Sequence, residues 1–155
     1  MKKALVMLLA VVLVIGMAVP AYAVASPVGG ETSDTATADL PELVGVADNH
    51  QVVLVSAEKA EDLSAQAQEI FLAAQTALKD AAPKGMKTQY FCYCLFVGDD
   101  KPQTVTITLK ITDVTEVVVK QFVDGQWVEL KSALNADGTV TVYGVVEGPI
   151  AIFTK

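Results

Sequence analysis

The chain has 155 residues, 52% of them hydrophobic, with 11 basic residues against 18 acidic ones and a formal net charge of −7. Every basic residue is a lysine. An acidic chain without arginine offers neither a positive patch nor a planar fork for phosphate, which argues against nucleic acid and anionic membrane surfaces as partners.

The opening stretch "MKKALVMLLAVVLVIGMAVPAYAVASP" sets Lys2 and Lys3 before an unbroken apolar run from Ala4 to Val19. Pro20 and the small-residue site Ala21-Tyr22-Ala23 follow. This is the layout of a secretory signal peptide over residues 1–23, cut after Ala23. An uncleaved anchor competes with it, but the run is shorter than the roughly 20 residues that cross a bilayer comfortably. Membrane contact is therefore expected only if this segment stays uncleaved. Removing residues 1–23 would leave 132 residues and move the charge from −7 to −9, because two lysines go and no acid does. That length suits one domain with a sizeable core. The mean hydropathy of +0.44 partly reflects the signal peptide. No cysteine follows the apolar run to carry a lipid, and no sorting signal closes the chain at "AIFTK". The expectation is an exported protein, secreted or cell-surface associated, with no covalent anchor.

Residues 24–48 begin with "VASPVGGETSDTATADL", which has no apolar period, and they read as a flexible linker. "PELVGVADNH" (41–50) is transitional, and a single folded domain is expected over 49–155. "QVVLVS" (51–56) is a short buried strand. Ser64 then caps a helix over about 64–82, with Ile70, Ala74, Ala77, Leu78 and Ala81 on one face. Pro83 and Gly85 end it. From Gln89 the pattern changes to strands. "QYFCYCLFV" (89–97), "TVTITLK" (104–110), "EVVVKQF" (116–122), "QWVEL" (126–130), "TVTVYGVV" (139–146) and "IAIFT" (150–154) are separated by turn residues. About seven short strands and one helix inserted after the first of them make an α+β chain, mainly an antiparallel β-sandwich. The periodicity leaves open whether the strand pairing is immunoglobulin-like.

Cys92 and Cys94, the only cysteines, stand one residue apart in a strand. Residues so spaced lie roughly 6.6 Å apart with parallel side chains, whereas a disulfide needs its Cβ atoms about 3.5–4.5 Å apart. They cannot bridge each other. They should share one face with Tyr90 and Phe96, while Phe91, Tyr93, Leu95 and Val97 take the other. Two buried thiols acting as small hydrophobes is the leading reading. An intermolecular disulfide is a second reading, and a soft-metal pair is a third. Further ligands are scarce, because His50 is the sole histidine and Met86 the sole methionine after processing.

Catalytic constellations are weak. His50 lies beside Asp48 and Asn49, and none of the serines sits in a G-x-S-x-G elbow. Asp99-Asp100 and Glu61-Asp62 are adjacent acids of the kind that usually face solvent. "NADG" (135–138) is explained by a plain turn, since the full calcium-loop spacing is absent. No cofactor motif is present, and no enzymatic activity is expected.

Asp124-Gly125 is a strong hairpin signal. It sets Phe122 opposite Trp127, Val123 opposite Gln126 and Lys120 opposite Glu129. Val117, Val119, Val128 and Leu130 then form the core face. Phe122 and Trp127 fall together on the less apolar face near a tip, where they could stack on a sugar ring or anchor a partner. The competing reading is that the pair only stabilises its own hairpin.

The last third of the chain carries Val117–Val119, Asp124-Gly125, Trp127, Asp137–Thr141 and Pro149–Ile152 in that order. This pattern resembles the C-terminal β-sandwich modules of small exported proteins from gut-dwelling anaerobic bacteria. The resemblance implies a sandwich and no assigned chemistry, and an anaerobic source would make free thiols easier to accept. The reading is an exported, non-catalytic surface or extracellular interaction module with an unidentified protein or cell-envelope partner. The alternatives are a small-ligand or glycan binder using Phe122 and Trp127, and a metal-handling protein using Cys92 and Cys94.

Overall fold

Runs rich in β-branched and aromatic residues form the strands, and a sheet with two apolar faces must be covered on both. The computed structural model describes residues 40–155. The expected signal peptide (1–23) and the linker positions 24–39 lie outside the described residues. The elements are β1 (Glu42–Val46), β2 (Gln51–Ser56), α1 (Ala65–Ala77), β3 (Lys87–Val97), β4 (Val105–Lys110) and β5 (Val117–Val123). They continue with β6 (Gln126–Leu130), β7 (Ser132–Leu134), β8 (Thr139–Val145) and β9 (Gly148–Thr154). A four-stranded sheet runs β1-β4-β8-β7 and a five-stranded sheet runs β2-β3-β9-β5-β6. All seven strand pairings are antiparallel. The fold is a mainly antiparallel β-sandwich with one small helix.

Alternation assigns the core residues to two layers. Cys92, Cys94, Phe96, Ile150 and Ile152 pack inward against Ile107, Leu109, Val140 and Val142 of the four-stranded sheet. Phe91, Tyr93, Phe122, Ala151 and Phe153 point the other way and pack beneath α1. α1 is capped by Ser64, whose Oγ accepts from the Ala67 N–H at 3.2 Å. It lays Ala67, Phe71 and Ala74 on the sheet, with Phe71 4.7 Å from Phe91 between ring centroids. Lys120 secures the far end by donating to the Ala81 carbonyl at 2.8 Å, where a cation also suits the last turn of a helical segment.

Several sequence expectations are corrected. The linker does not extend to 48, because residues 42–46 form β1 and pair with β4. A register shift between Leu43 and Gly45 breaks the alternation that would have marked this strand. With the three-residue β7, the strands number nine among the described residues. The helix is α1 over Ala65–Ala77 followed by a 3-10 turn at Leu78–Asp80, not a continuous segment over 64–82. Its buried face is centred on Phe71, while Ile70 is exposed. The predicted hairpin core face also fails at Val128, which stands exposed on the edge strand β6.

The passage from β8 to β9 crosses from one sheet to the other through Val146 and Glu147. Before Gly148 the backbone is not yet beside β3 and β5, so side chains take over the hydrogen bonds that the ladder would supply. Gln121, fully buried, donates from Nε2 to the Val146 carbonyl at 2.6 Å and accepts the Val146 N–H on Oε1 at 2.8 Å. On the β3 side, Glu147 Oε2 accepts the Phe96 N–H at 2.8 Å. Gly148 permits the turn into β9 with φ 151°.

Gln121→Leu keeps volume but strands two backbone groups, each costing about 1–3 kcal/mol when left unpaired. The expected loss of stability is about 2–4 kcal/mol, read as a lower urea midpoint at unchanged slope.

Candidate functional site

β3 places its two cysteines in the sandwich core, both unpaired and both buried to within 1% of full coverage. They share that core with Phe96 and the half-buried Tyr90, whereas Phe91, Tyr93 and Leu95 belong to the helix-side core, as the alternation predicts. Burial pushes the Cys94 thiol up to about 12, with the Glu147 carboxylate adding to the effect. Burial, then the neighbouring Cys94, raises Cys92 as well. Neutral thiols in this setting are poor nucleophiles and poor metal ligands. A metal-binding or intermolecular role would require the sheet to open.

The hairpin has the predicted register, with Phe122 opposite Trp127, Val123 opposite Gln126 and Lys120 opposite Glu129. Asp124 and Gly125 both adopt positive φ, 51° and 79°, the requirement of a type I′ turn. Of the pair expected to be exposed, Phe122 is buried and Trp127 half-buried, closer to the competing reading in which the two pack on their own hairpin. Phe122 is 9% exposed and lies 5.4 Å from Trp127, edge to face. Trp127 in turn meets Phe91 at 6.2 Å, so α1 and β3 claim the face that the sequence left open. The indole Nε1 is buried without a hydrogen-bond partner among the described residues. The sequence could not show that the helix folds back over this side of the hairpin.

A cleft of about 480 Å³ opens where α1 meets the hairpin tip and the β8–β9 crossover. Tyr93, Phe122 and Pro149 contribute apolar surface, and Glu69, Asp124 and Glu147 contribute carboxylates. Ile70, 38% exposed, also lines it. The Tyr93 hydroxyl is raised above its ordinary range by burial first and by Glu147 second, which places that carboxylate within electrostatic reach of the phenol. Sequence reasoning missed Glu147 because nothing local distinguishes "VEGP" from any other turn.

His50 lines a separate depression of about 460 Å³ with Asp99, Asp100 and Lys101, and neither a serine nor a cysteine lines it. Ser64 is occupied as the helix cap and Ser56 is buried. Asp137 of "NADG" accepts from the Thr139 N–H and hydroxyl, at 3.0 and 2.6 Å, as a turn residue does. Those two bonds hold its carboxyl below the usual range. No helix among the described residues is long and apolar enough to cross a membrane.

Comparison with protein-family models, curated proteins and solved structures finds no match to the chain.

Truncation of Trp127 to Ala is expected to cost about 3 kcal/mol of stability, the signature of a packing residue, measured by urea denaturation followed in the far-UV. The thiols give a pH prediction. Their folded-state pKa values lie above the ordinary 9.0, so their contribution is fully present below pH 9 and is lost as pH rises towards 12. The urea midpoint of the wild type should fall above pH 9, and that of the Cys92→Ala/Cys94→Ala double variant should fall less.

Proposed function

We propose that the protein is an exported, non-catalytic interaction module of the bacterial surface or extracellular space. Its docking surface is the cleft between α1 and the β5–β6 hairpin. The observation that carries this reading is the cleft's composition: an apolar floor and a charged rim, built from α1, the hairpin turn and the β8–β9 crossover. An exposed Ile70 at its edge adds apolar area available to a partner. Catalysis gains no support, because His50 and the thiols lie apart and neither borders this cleft. The glycan reading loses its platform, since the aromatic faces it needs are spent on the helix-side core. A secreted acidic domain also suits this role by remaining soluble at low partner concentration.

A photo-cross-linking amino acid placed at Ile70 or Val123, in protein produced by its native host, tests the reading. Leu134 and Tyr143, each 41% exposed on the opposite sheet, serve as controls. A discrete adduct from the cleft positions, absent from the controls, is expected. Equal adducts from both faces, or none from Ile70 and Val123, would overturn it.

A further inference from the structure

We infer that the cleft takes a basic side chain, arginine before lysine, presented by the partner protein; this rests on the docking role proposed above for the same cleft. Its lining includes three carboxylates, Glu69, Asp124 and Glu147, and no basic residue. Glu69 and Asp124 take part in no ion pair among the described residues. Glu147 has one ion-pair partner, Lys101, at 3.3 Å on Oε2, a half-exposed pair of the kind worth little in water. The same carboxylate is fixed in position by the Phe96 N–H. It is thus held before any ligand arrives, which lowers the ordering cost of binding.

The floor narrows the choice of cation. Tyr93, Phe122 and Pro149 give apolar and aromatic surface beneath the rim. A long basic side chain satisfies both halves, laying its methylenes on the floor and its charge among the carboxylates. A guanidinium can also pair a carboxylate in two-pronged fashion. A bare metal ion would leave the floor unused, and a neutral apolar group would desolvate the acids without compensation. The surrounding end of the sheet reinforces the preference. Asp48, Asp99 and Asp100 lie in the loops at the start of β2 and the end of β3, the same end of the sheet as the Asp124 turn and Glu147, and they outnumber Lys101 in the same loop. A negative field over this end would steer a basic partner towards it.

The test is an amide NMR titration of the full chain with N-acetyl-arginine amide and with N-acetyl-citrulline amide, which matches its shape without the charge. Arginine should give saturable shifts at Ile70, Tyr93, Gly125 and Gly148, with citrulline weaker by about tenfold. The double variant Glu147→Gln/Asp124→Asn should weaken arginine by a similar factor. It should still fold, because glutamine retains an acceptor for the Phe96 N–H and asparagine tolerates positive φ. Binding should also fall as salt rises. Equal binding of citrulline, shifts scattered without saturation over all surface acids, or no shift at all would overturn the inference. Cross-links at Ile70 without arginine shifts would retain the docking role and remove the basic ligand, whereas failure of both experiments removes both.

Discussion

One buried amide holds the two sheets in their relation. Gln121 gives its side chain to both backbone groups of Val146, replacing the neighbour that the ladder loses where the chain leaves one sheet for the other. On the other flank the Glu147 carboxylate accepts the Phe96 N–H. These bonds stabilise the point where β9 begins between β3 and β5, directly after the chain leaves the opposite sheet. A buried polar group costs least when it is fully paired. Here the pairing fixes the crossover, and with it the carboxylate at the cleft rim.

The central strands follow from that arrangement. β3 and β9 are covered on both faces, by the opposing sheet and by α1, so every position along β9 is buried. Such strands read as continuous apolar runs, and "YFCYCLFV" and "GPIAIFT" both do. The cysteines belong to this packing, where a small, soft side chain fits between Phe96 and the branched residues facing it.

Much of this was legible in the sequence, for definite reasons. Period-two alternation identified β4, and the Asp124-Gly125 turn flanked by β5 and β6 set a hairpin register that the structure reproduces residue for residue. The spacing of Cys92 and Cys94 was enough to exclude a bridge between them. What could not be read depends on distant partners. β1 hides behind a bulge, and β7 is too short to show a period. The helix face was legible at Ala74, Ala77, Leu78 and Ala81, but Ile70 passes for its neighbour Phe71 because the alanines around them give almost no contrast. The burial of Phe122 and Trp127 turns on where α1 comes to rest, and the cleft on a crossover between sheets. Both are long-range facts that local pattern does not encode.

The same placement separates two natural reporters. Trp127, the single indole of the chain, sits in the layer under α1, whereas both thiols sit between the sheets. Intrinsic fluorescence therefore follows the docking of the helix, and thiol accessibility follows the opening of the sandwich. A partial unfolding that releases α1 alone would change the first signal and leave the second untouched. The order in which this protein comes apart can thus be watched without adding a label to either layer.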